Sequence, residues 1–181
     1  METRTPSSTI VQMSELMTPG NANFLGKVFG GAILALLDKV AYVTASRFAG
    51  KICVTASFDR VDFHSPIEVG ELVHMVGSVD FAGRTSVQTR IEVYAENIHE
   101  GTTRHTNSCI VTMVAIDDDG KPTPIPQLIA ETREEKIRFL QGRARKEWAK
   151  THVTDSLELL GKLESMDDAE LDRLMQSDLR P

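Results

Sequence analysis

The sequence predicts an α+β protein in which an antiparallel five-stranded sheet wraps around one central buried helix. An apolar segment with helical spacing follows a first strand-like segment, and four further strand-like segments come after it with no second helix between them. Short connections between strands favour antiparallel neighbours. A helix that is apolar almost all round must be covered on most sides, and a curled sheet provides that cover.

The composition is that of an ordinary globular protein with an acidic balance. Hydrophobic residues make up 41% of the 181 residues, charged residues make up 25%, and the formal net charge is -6. An acidic chain is poorly suited to binding nucleic acid or an anionic membrane through general electrostatics. The sequence contains neither an export signal nor the roughly 18 apolar residues that a membrane span needs. We therefore expect a cytoplasmic protein without nucleic acid or membrane as partners.

The first strand is predicted at residues 8–16, where polar and apolar residues alternate, and Pro19 and Gly20 end it. The central helix is predicted from about residue 29 and ends near Gly50, which lacks a Cβ atom and suits a helix C-terminus. One stripe of this helix is strongly apolar: Phe29, Ile33, Leu36, Leu37 and Val40. A second stripe consists largely of small residues and includes Asp38. A desolvated carboxylate is costly unless it has hydrogen-bond partners or a chemical task. Asp38 is therefore a functional acid, or else it caps a neighbouring loop or reaches solvent at the helix edge.

The remaining four strands are predicted at residues 52–63, 71–82, 85–98 and 102–117, which are rich in Val, Ile, Thr and Phe. Turn residues separate them: Ser65-Pro66, Gly83-Arg84 and Glu100-Gly101. Cys53 and Cys109 lie inside these apolar runs and are predicted to be core residues. The sequence has no CxxC or HxxxH spacing, so we infer no metal site.

The C-terminal part predicts helices outside the sheet. The segment that follows the last strand contains three prolines, at 122, 124 and 126, and cannot be helical. Residues 128–150 have a helical pattern with seven basic residues against four acids, whereas residues 151–181 have three against eight and predict one or two short amphipathic helices. We therefore expect a sheet-and-helix domain at 1–127 and a helical extension at 128–181.

Three polar residues around the central helix are candidates for catalysis: Asn23 before it, Asp38 within it and Thr55 in the strand after it, at offsets of 15 and 17. Gly30 and Gly31 open the helix, so unsatisfied backbone N–H groups point outward with no side chain to block a ligand. Such donors can stabilise a carbonyl oxygen that becomes negative during acyl transfer. The alternatives are an Asx turn for Asn23 and an ordinary strand position for Thr55.

The segment from residue 17 to residue 66 resembles the hotdog-fold acyl-CoA thioesterases, specifically the branch of bacterial acyl-CoA hydrolases related to the animal cytosolic (brain) acyl-CoA hydrolase. Four motifs carry the resemblance: PGNANFLG at 19–26, FGG at 29–31, LLD at 36–38 and VTAS at 54–57. The resemblance continues more weakly through the turn at 83–86 to about residue 140. The tail beyond residue 151 lies outside it.

The resemblance implies a homodimer with a continuous sheet, assembled into a trimer of dimers, with active sites at the dimer interface. It implies that Asn23 and Asp38 of opposite subunits form one site and that Thr55 supports the acid. It also implies that the loop with Arg84, Thr85 and Ser86 lies near the pantetheine and phosphates of CoA, a role for which Arg and hydroxyl groups are suited. His64 and Ser65, which end a strand beside Pro66, are further candidates for lining this entrance.

The expected reaction is hydrolysis of an acyl-CoA thioester. Asp38 acts as general base on water, or as a nucleophile that forms a mixed anhydride, while Asn23 and the backbone N–H groups of Gly30 and Gly31 polarise the carbonyl. No cofactor is expected, because CoA enters only as part of substrate and product. A non-catalytic acyl-CoA sensor is the alternative, although a sensor needs neither Asp38 nor Asn23. A hotdog dehydratase would need a base where Asn23 stands.

Overall fold

The computed structural model describes residues 2–59 and 61–178. In this part of the chain the main sheet has the strand order β2-β5-β6-β7-β3, with every neighbouring pair antiparallel, and β4 pairs with β7 beside β3. A small second sheet joins β1 and β8 in parallel. The strands are β1 Thr3–Arg4, β2 Val11–Leu16, β3 Cys53–Phe58, β4 Asp62–Phe63, β5 Leu72–Ala82, β6 Ser86–Asn97, β7 Thr102–Ala115 and β8 Gln127–Leu128. The helices are α1 Gly30–Ala49, α2 Arg133–Ser165 and α3 Asp168–Asp178.

Helix α1 lies against β2, β3, β5, β6 and β7, so the sheet curls around it as predicted. The helix buries most of its strongly apolar stripe in the core, where Leu37 and Val40 are fully enclosed, but Phe29 at the start of the stripe is 58% exposed. It ends at Gly50, which adopts the left-handed conformation with φ of 66°. Arg4 donates from β1 to the carbonyl oxygens of Arg47 and Phe48, so a cation satisfies the free carbonyls of the last turn.

Both cysteines are buried in the core, as the sequence predicts. Burial raises the pKa of the Cys109 thiol to about 12 and also raises the pKa of Cys53. Both side chains therefore stay protonated and behave as small apolar groups.

The prediction of one continuous strand at residues 52–63 is wrong. β3 ends at Phe58 and β4 covers only Asp62 and Phe63, so the described sheet has six strands instead of five. Asp59 still lies beside β7, since its backbone amide donates to the Ile110 carbonyl at 2.9 Å. Asp is disfavoured inside strands, which explains the interruption. Residue 60 lies outside the described residues.

The chain divides into two compact units, residues 1–142 and 143–181. In the first unit α2 begins at Arg133, and Leu128, expected to begin the helix, lies in β8 with Gln127. Gly142 packs on the sheet here. The side-chain amide of Gln88 donates to the Gly142 carbonyl at 3.1 Å, and a Cβ added at Gly142 would lie 2.4 Å from the Cβ of Phe81. The ring centroids of Phe81 and Phe139 are 5.1 Å apart.

The second unit, in its described part, contains the rest of α2 and then α3. The predicted change of helix near residue 150 is wrong, since α2 continues without a break to Ser165. The change from basic to acidic side chains alters the charge of the helix surface but removes no backbone hydrogen bond, so it does not end the helix. The predicted domain boundary after residue 127 stays a prediction. None of the described helices has the length and apolar character needed to cross a membrane.

Gly77 in β5 allows the close approach of α1 to the sheet. A Cβ added at Gly77 would lie 2.3 Å from Oγ1 of Thr44 and 2.8 Å from Cγ1 of Val40. Thr44 is fully buried, and its hydroxyl donates to the Val40 carbonyl at 2.7 Å, so it has little room to move.

We expect Gly77→Ala to lower the free energy of unfolding by about 1–3 kcal/mol, the range typical of overpacking a core. Urea denaturation measures this change. Gly20→Ala is the matched control, because its Cβ would meet its nearest neighbour at an ordinary 3.7 Å. Equal stability of the two variants would show that α1 and β5 are not in tight contact.

Candidate active site

Asp38 and Thr55 are brought together by the packing of β3 against α1. The hydroxyl of Thr55 donates to Oδ1 of Asp38 at 2.6 Å. The Thr55 hydroxyl oxygen also lies 3.4 Å from Sδ of Met113 on the neighbouring strand β7. Asp38 is half-buried and Thr55 is exposed. The contact between Thr55 and Asp38 that the resemblance implied is therefore present.

Asn23 lies at the start of a tight turn. Its side-chain oxygen accepts hydrogen bonds from the amides of Leu25 at 2.8 Å and Lys27 at 3.2 Å, and Gly26 closes the turn with φ of 75°. The Asx-turn interpretation of Asn23 is therefore correct. This turn also fixes the orientation of the carboxamide, so the end of Asn23 that could donate to a ligand is its NH2 group.

A cleft of about 350 Å³ gathers several of the predicted site residues, namely Asn23, Gly30, His64 and Ser65. Apolar side chains form much of the remaining wall: Leu25, Val28, Ile33, Phe63 and Ile67. The Ser65 hydroxyl is buried and has no hydrogen-bond partner in the described part of the chain. A few polar groups in a mainly apolar cleft are typical of a small-molecule site.

The N-terminus of α1 opens at this cleft. The residue before the helix, Phe29, provides no side-chain cap, so the first amides of α1 stay available to a ligand. The Phe29 ring lies beside Gly31, where an added Cβ would be 2.3 Å from it. The ring rests on the flat surface that this glycine leaves. A Cβ added at Gly30 would lie 3.6 Å from the Phe63 ring.

Asn23 and Asp38 occupy different places in one subunit. Gly30 lines the cleft with Asn23, and Asp38 follows eight residues later in the same helix, which corresponds to about 12 Å along the helix axis. Neither Asp38 nor Thr55 lines that cleft. One subunit therefore carries two separate groups of candidate residues.

The five predicted CoA-contacting residues are likewise divided. Arg84 lines a second cleft of about 480 Å³, with Ile125, Leu128 and Phe139 among its walls. Met113 of β7 pairs with Val87 of β6 on one side and with Thr55 of β3 on the other. Val87 and Thr55 are therefore two strand spacings, or about 10 Å, apart. The turn that ends at Thr85 and Ser86 is therefore at the Asp38 end of the sheet, whereas His64 and Ser65 are with Asn23.

An ion-pair network that the sequence analysis missed holds the wall of the Asn23 cleft. Both guanidinium Nη atoms of Arg104 donate to the Glu71 carboxylate, and one of them also donates to the Pro66 carbonyl at 2.7 Å. Glu71 additionally accepts from the Glu68 amide at 2.8 Å, and Glu68 pairs with Lys27 beyond the Asn23 turn. No sequence pattern links residues so far apart, because the contact depends on the sheet order that places the start of β5 and β7 on either side of β6.

The guanidinium of Arg104 lowers the pKa of Glu71, which is also held by the Glu68 amide. The Arg104 pKa is raised in turn by Glu71. Within residues 2–59 and 61–178, no group of three His, Cys, Asp or Glu side chains has the arrangement of a metal site.

The fold and the motifs define a class, and comparison with known proteins places the chain in it. The family model described as Thioesterase superfamily matches residues 25–102. The chain is 43% identical over 143 residues to the protein VdlD of Helicobacter pylori, a match that covers 79% of this chain and 82% of VdlD. The chain belongs to the hotdog-fold thioesterase superfamily.

Relatives within this superfamily include proteins named acyl-CoA thioester hydrolases. A Bacillus subtilis protein named as an uncharacterized acyl-CoA thioester hydrolase is 32% identical over 134 residues, which are 74% of this chain and 78% of that protein. The rat cytosolic acyl coenzyme A thioester hydrolase is 32% identical over 146 residues, which are 80% of this chain and 38% of the rat enzyme.

Solved structures match nearly over their whole length. An apo-hexameric acyl-CoA thioesterase has a TM-score of 0.80 and 37% identity, covering 84% of this chain and 98% of that one. The Staphylococcus aureus acyl-CoA hydrolase, solved with butyryl coenzyme A and coenzyme A, has a TM-score of 0.78 and 28% identity, covering 90% and 99%. Structures of that enzyme include alanine variants of one asparagine, one aspartate and one threonine, which are spaced by 15 and 17 positions.

The Glu71–Arg104 pair predicts how the stability of the folded protein changes at acid pH. Because folding lowers the pKa of Glu71 from the usual 4.5, the pair adds stability at pH values above the unfolded pKa. That contribution is lost as the pH falls through the lower folded pKa. We expect Glu71→Gln to be less stable than wild type at neutral pH and to lose less stability on acidification.

Urea denaturation at several pH values from neutral to acid measures this difference. Glu100→Gln, at an exposed turn, is the control and should follow the wild-type curve. Parallel curves for wild type and Glu71→Gln would show that the pair is not coupled to folding.

Proposed function

We propose that the protein hydrolyses acyl-CoA thioesters to a free fatty acid and CoA. The observation that carries this proposal is the hydrogen bond from Thr55 to Asp38, which places a supported carboxylate on the accessible side of α1. The shared spacing with the three residues that were varied in the Staphylococcus aureus hydrolase supports the same assignment for Asn23, Asp38 and Thr55.

In the proposed reaction Asp38 removes a proton from water, and the resulting hydroxide attacks the thioester carbonyl. Thr55 occupies Oδ1 of Asp38 and thereby orients Oδ2 toward the water. The C–S bond breaks as the tetrahedral intermediate collapses, and the proton held by Asp38 passes to the departing thiolate of CoA. The products are a carboxylic acid and a thiol.

The carbonyl oxygen becomes negative during this attack and needs donors. The NH2 group of Asn23 and the first backbone N–H groups of α1, at Gly30 and Gly31, are suited to this task because the turn and the helix fix their directions.

About 12 Å of helix separates Asp38 from Gly30, which lines the Asn23 cleft, so one carbonyl is not expected to meet the Asn23 and Asp38 of a single subunit. We therefore propose that Asp38 of one copy and Asn23 of a second copy complete each site. Exposed apolar residues on both regions, such as Phe24 and Val54, support such an interface. The hexameric structures of relatives support a trimer of dimers.

The nucleotide and pantetheine parts of CoA are assigned to polar groups around the site. Arg84 offers a guanidinium for phosphate oxygens, beside the hydroxyls of Thr85 and Ser86, and His64 and Ser65 line the Asn23 cleft. We propose that no resident cofactor takes part. The proposed cytoplasmic location is supported by the cytosolic animal relatives.

Asp38→Asn tests the base. The variant keeps an oxygen for the Thr55 hydroxyl but loses basicity, so kcat for acyl-CoA hydrolysis should fall by roughly 10²–10⁴, with KM little changed. Release of free CoA, followed with a thiol reagent over a panel of acyl chain lengths, measures this. Asp118→Asn, at a remote surface turn, is the control.

Two outcomes would count against the assignment. Wild-type kcat in Asp38→Asn would remove Asp38 from the mechanism. Tight acyl-CoA binding by wild type without thiol release at any chain length would favour the sensor alternative.

Complementation between subunits tests the shared site. Asp38→Asn and Asn23→Ala proteins are each expected to be weakly active, but a mixed dimer has one site with both substitutions and one with neither. Under two-fold symmetry the mixed dimer should recover about half of the wild-type activity. Native mass spectrometry establishes that subunits have exchanged. No recovery in exchanged samples would place Asn23 and Asp38 of the same chain in one site.

A further inference from the structure

The turn that carries Asn23 ends in an apolar tip formed by Phe24 and Leu25. The side chain of Phe24 is 96% exposed and that of Leu25 is 71% exposed. Single exposed apolar residues are common on protein surfaces, but two adjacent large ones beside a candidate catalytic residue are a reason to expect a partner.

This tip is held rigidly relative to Asn23. The amide of Asn23 donates to the Lys27 carbonyl at 2.7 Å, and the Gly26 amide donates to the Asn23 carbonyl at 3.0 Å. Ala22 and Val28 form a bridge across the base of the turn, and Lys27 bridges to Glu68. A ligand or partner that meets the tip therefore orders few additional dihedral angles, which reduces the cost of binding.

The surface around Asp38 is the complementary one. Leu34 and Tyr42 are four residues before and after Asp38, so they share its face of α1, and both are exposed. On the neighbouring edge strand β3, Phe58 is also exposed. The carboxylate therefore lies within an apolar surface that the subunit itself leaves uncovered.

We propose that Phe24 of one copy packs on the Leu34–Tyr42 face of a second copy, where it closes the groove for the acyl chain and limits its length. This inference rests on the proposed function, because Asn23 can reach a thioester at the second copy's Asp38 only by bringing its rigid tip to the same face. Consecutive Cα atoms are 3.8 Å apart, so Phe24 arrives close to the reacting carbonyl. The side of the carbonyl opposite CoA is occupied by the first carbons of the acyl chain, and the exposed Phe24 ring is a large apolar group at the tip that can meet them.

Phe24 is therefore a specificity-determining residue and not a proton-transfer group. A ring at this position favours short chains by filling space that a longer chain would need, and a smaller side chain opens that space. Removing one or a few methylene contacts changes discrimination by about 10–200-fold, which is within reach of kinetic measurement.

The first test is the chain-length profile. kcat/KM is measured for saturated acyl-CoAs from acetyl to palmitoyl with wild type, Phe24→Ala and Ile98→Ala. Ile98 is the matched control, since it is an exposed apolar residue at the distant turn between β6 and β7. Phe24→Ala should raise the ratio of long-chain to short-chain kcat/KM at least tenfold, and Ile98→Ala should leave it unchanged. An equal effect of Phe24→Ala at every chain length would overturn the proposal.

The second test does not depend on activity. Sedimentation at a series of protein concentrations gives the dissociation constant of the dimer for wild type, Phe24→Asp and Ile98→Asp. A charge buried against the Leu34–Tyr42 face should weaken association by about tenfold or more, whereas Ile98→Asp should not. Unchanged association of Phe24→Asp would overturn the contact. If wild type hydrolyses no acyl-CoA but Phe24→Asp still weakens association, the proposed function fails while the contact of the tip with a second copy stands.

Discussion

The structure depends on the need to cover a helix that has almost no polar face. Helix α1 buries Ile33, Leu37 and Phe48 against the sheet, and the sheet curls so that five of its strands contact the helix. The contact is close because Gly77 and the small side chains of α1 allow the backbones to approach. Overpacking at this contact is costly because a dense interior cannot absorb an added methyl group without moving its neighbours.

The same constraint explains the position of the candidate site. A single sheet leaves one face of α1 uncovered, and this face carries Asp38 between Leu34 and Tyr42. Edge strand β3 adds Thr55, whose hydroxyl donates to one carboxylate oxygen of Asp38. The exposed apolar surface and the hydrogen-bonded Asp38 thus both result from the face of α1 that the sheet leaves uncovered. A second surface that covers this face would bury the apolar residues and desolvate the acid.

The Asn23 region is built from loops, and its rigidity has a different origin. The Asx turn, the bridge at its base and the Glu71–Arg104 network fix the loops that line the cleft. A bidentate arginine–carboxylate pair that also holds the Pro66 carbonyl gives directional support that apolar packing alone does not provide. Catalysis by fixed dipoles requires such support, since donors that must reorient stabilise charge less well.

The sequence by itself determined the α+β class, the bounds of α1 to within about a residue, the burial of both cysteines and the residue types of the candidate site. These features follow from local periodicity, turn residues and motif spacing, which involve neighbours in the chain. The tertiary structure decided the break between β3 and β4, the Phe29 ring on Gly31 and the Glu71–Arg104 pair. It also separated Asn23 from Asp38 and divided Arg84 from His64. Each of these depends on which distant segments meet across the sheet, and that pairing is set by the packing of the whole domain, which no local pattern records.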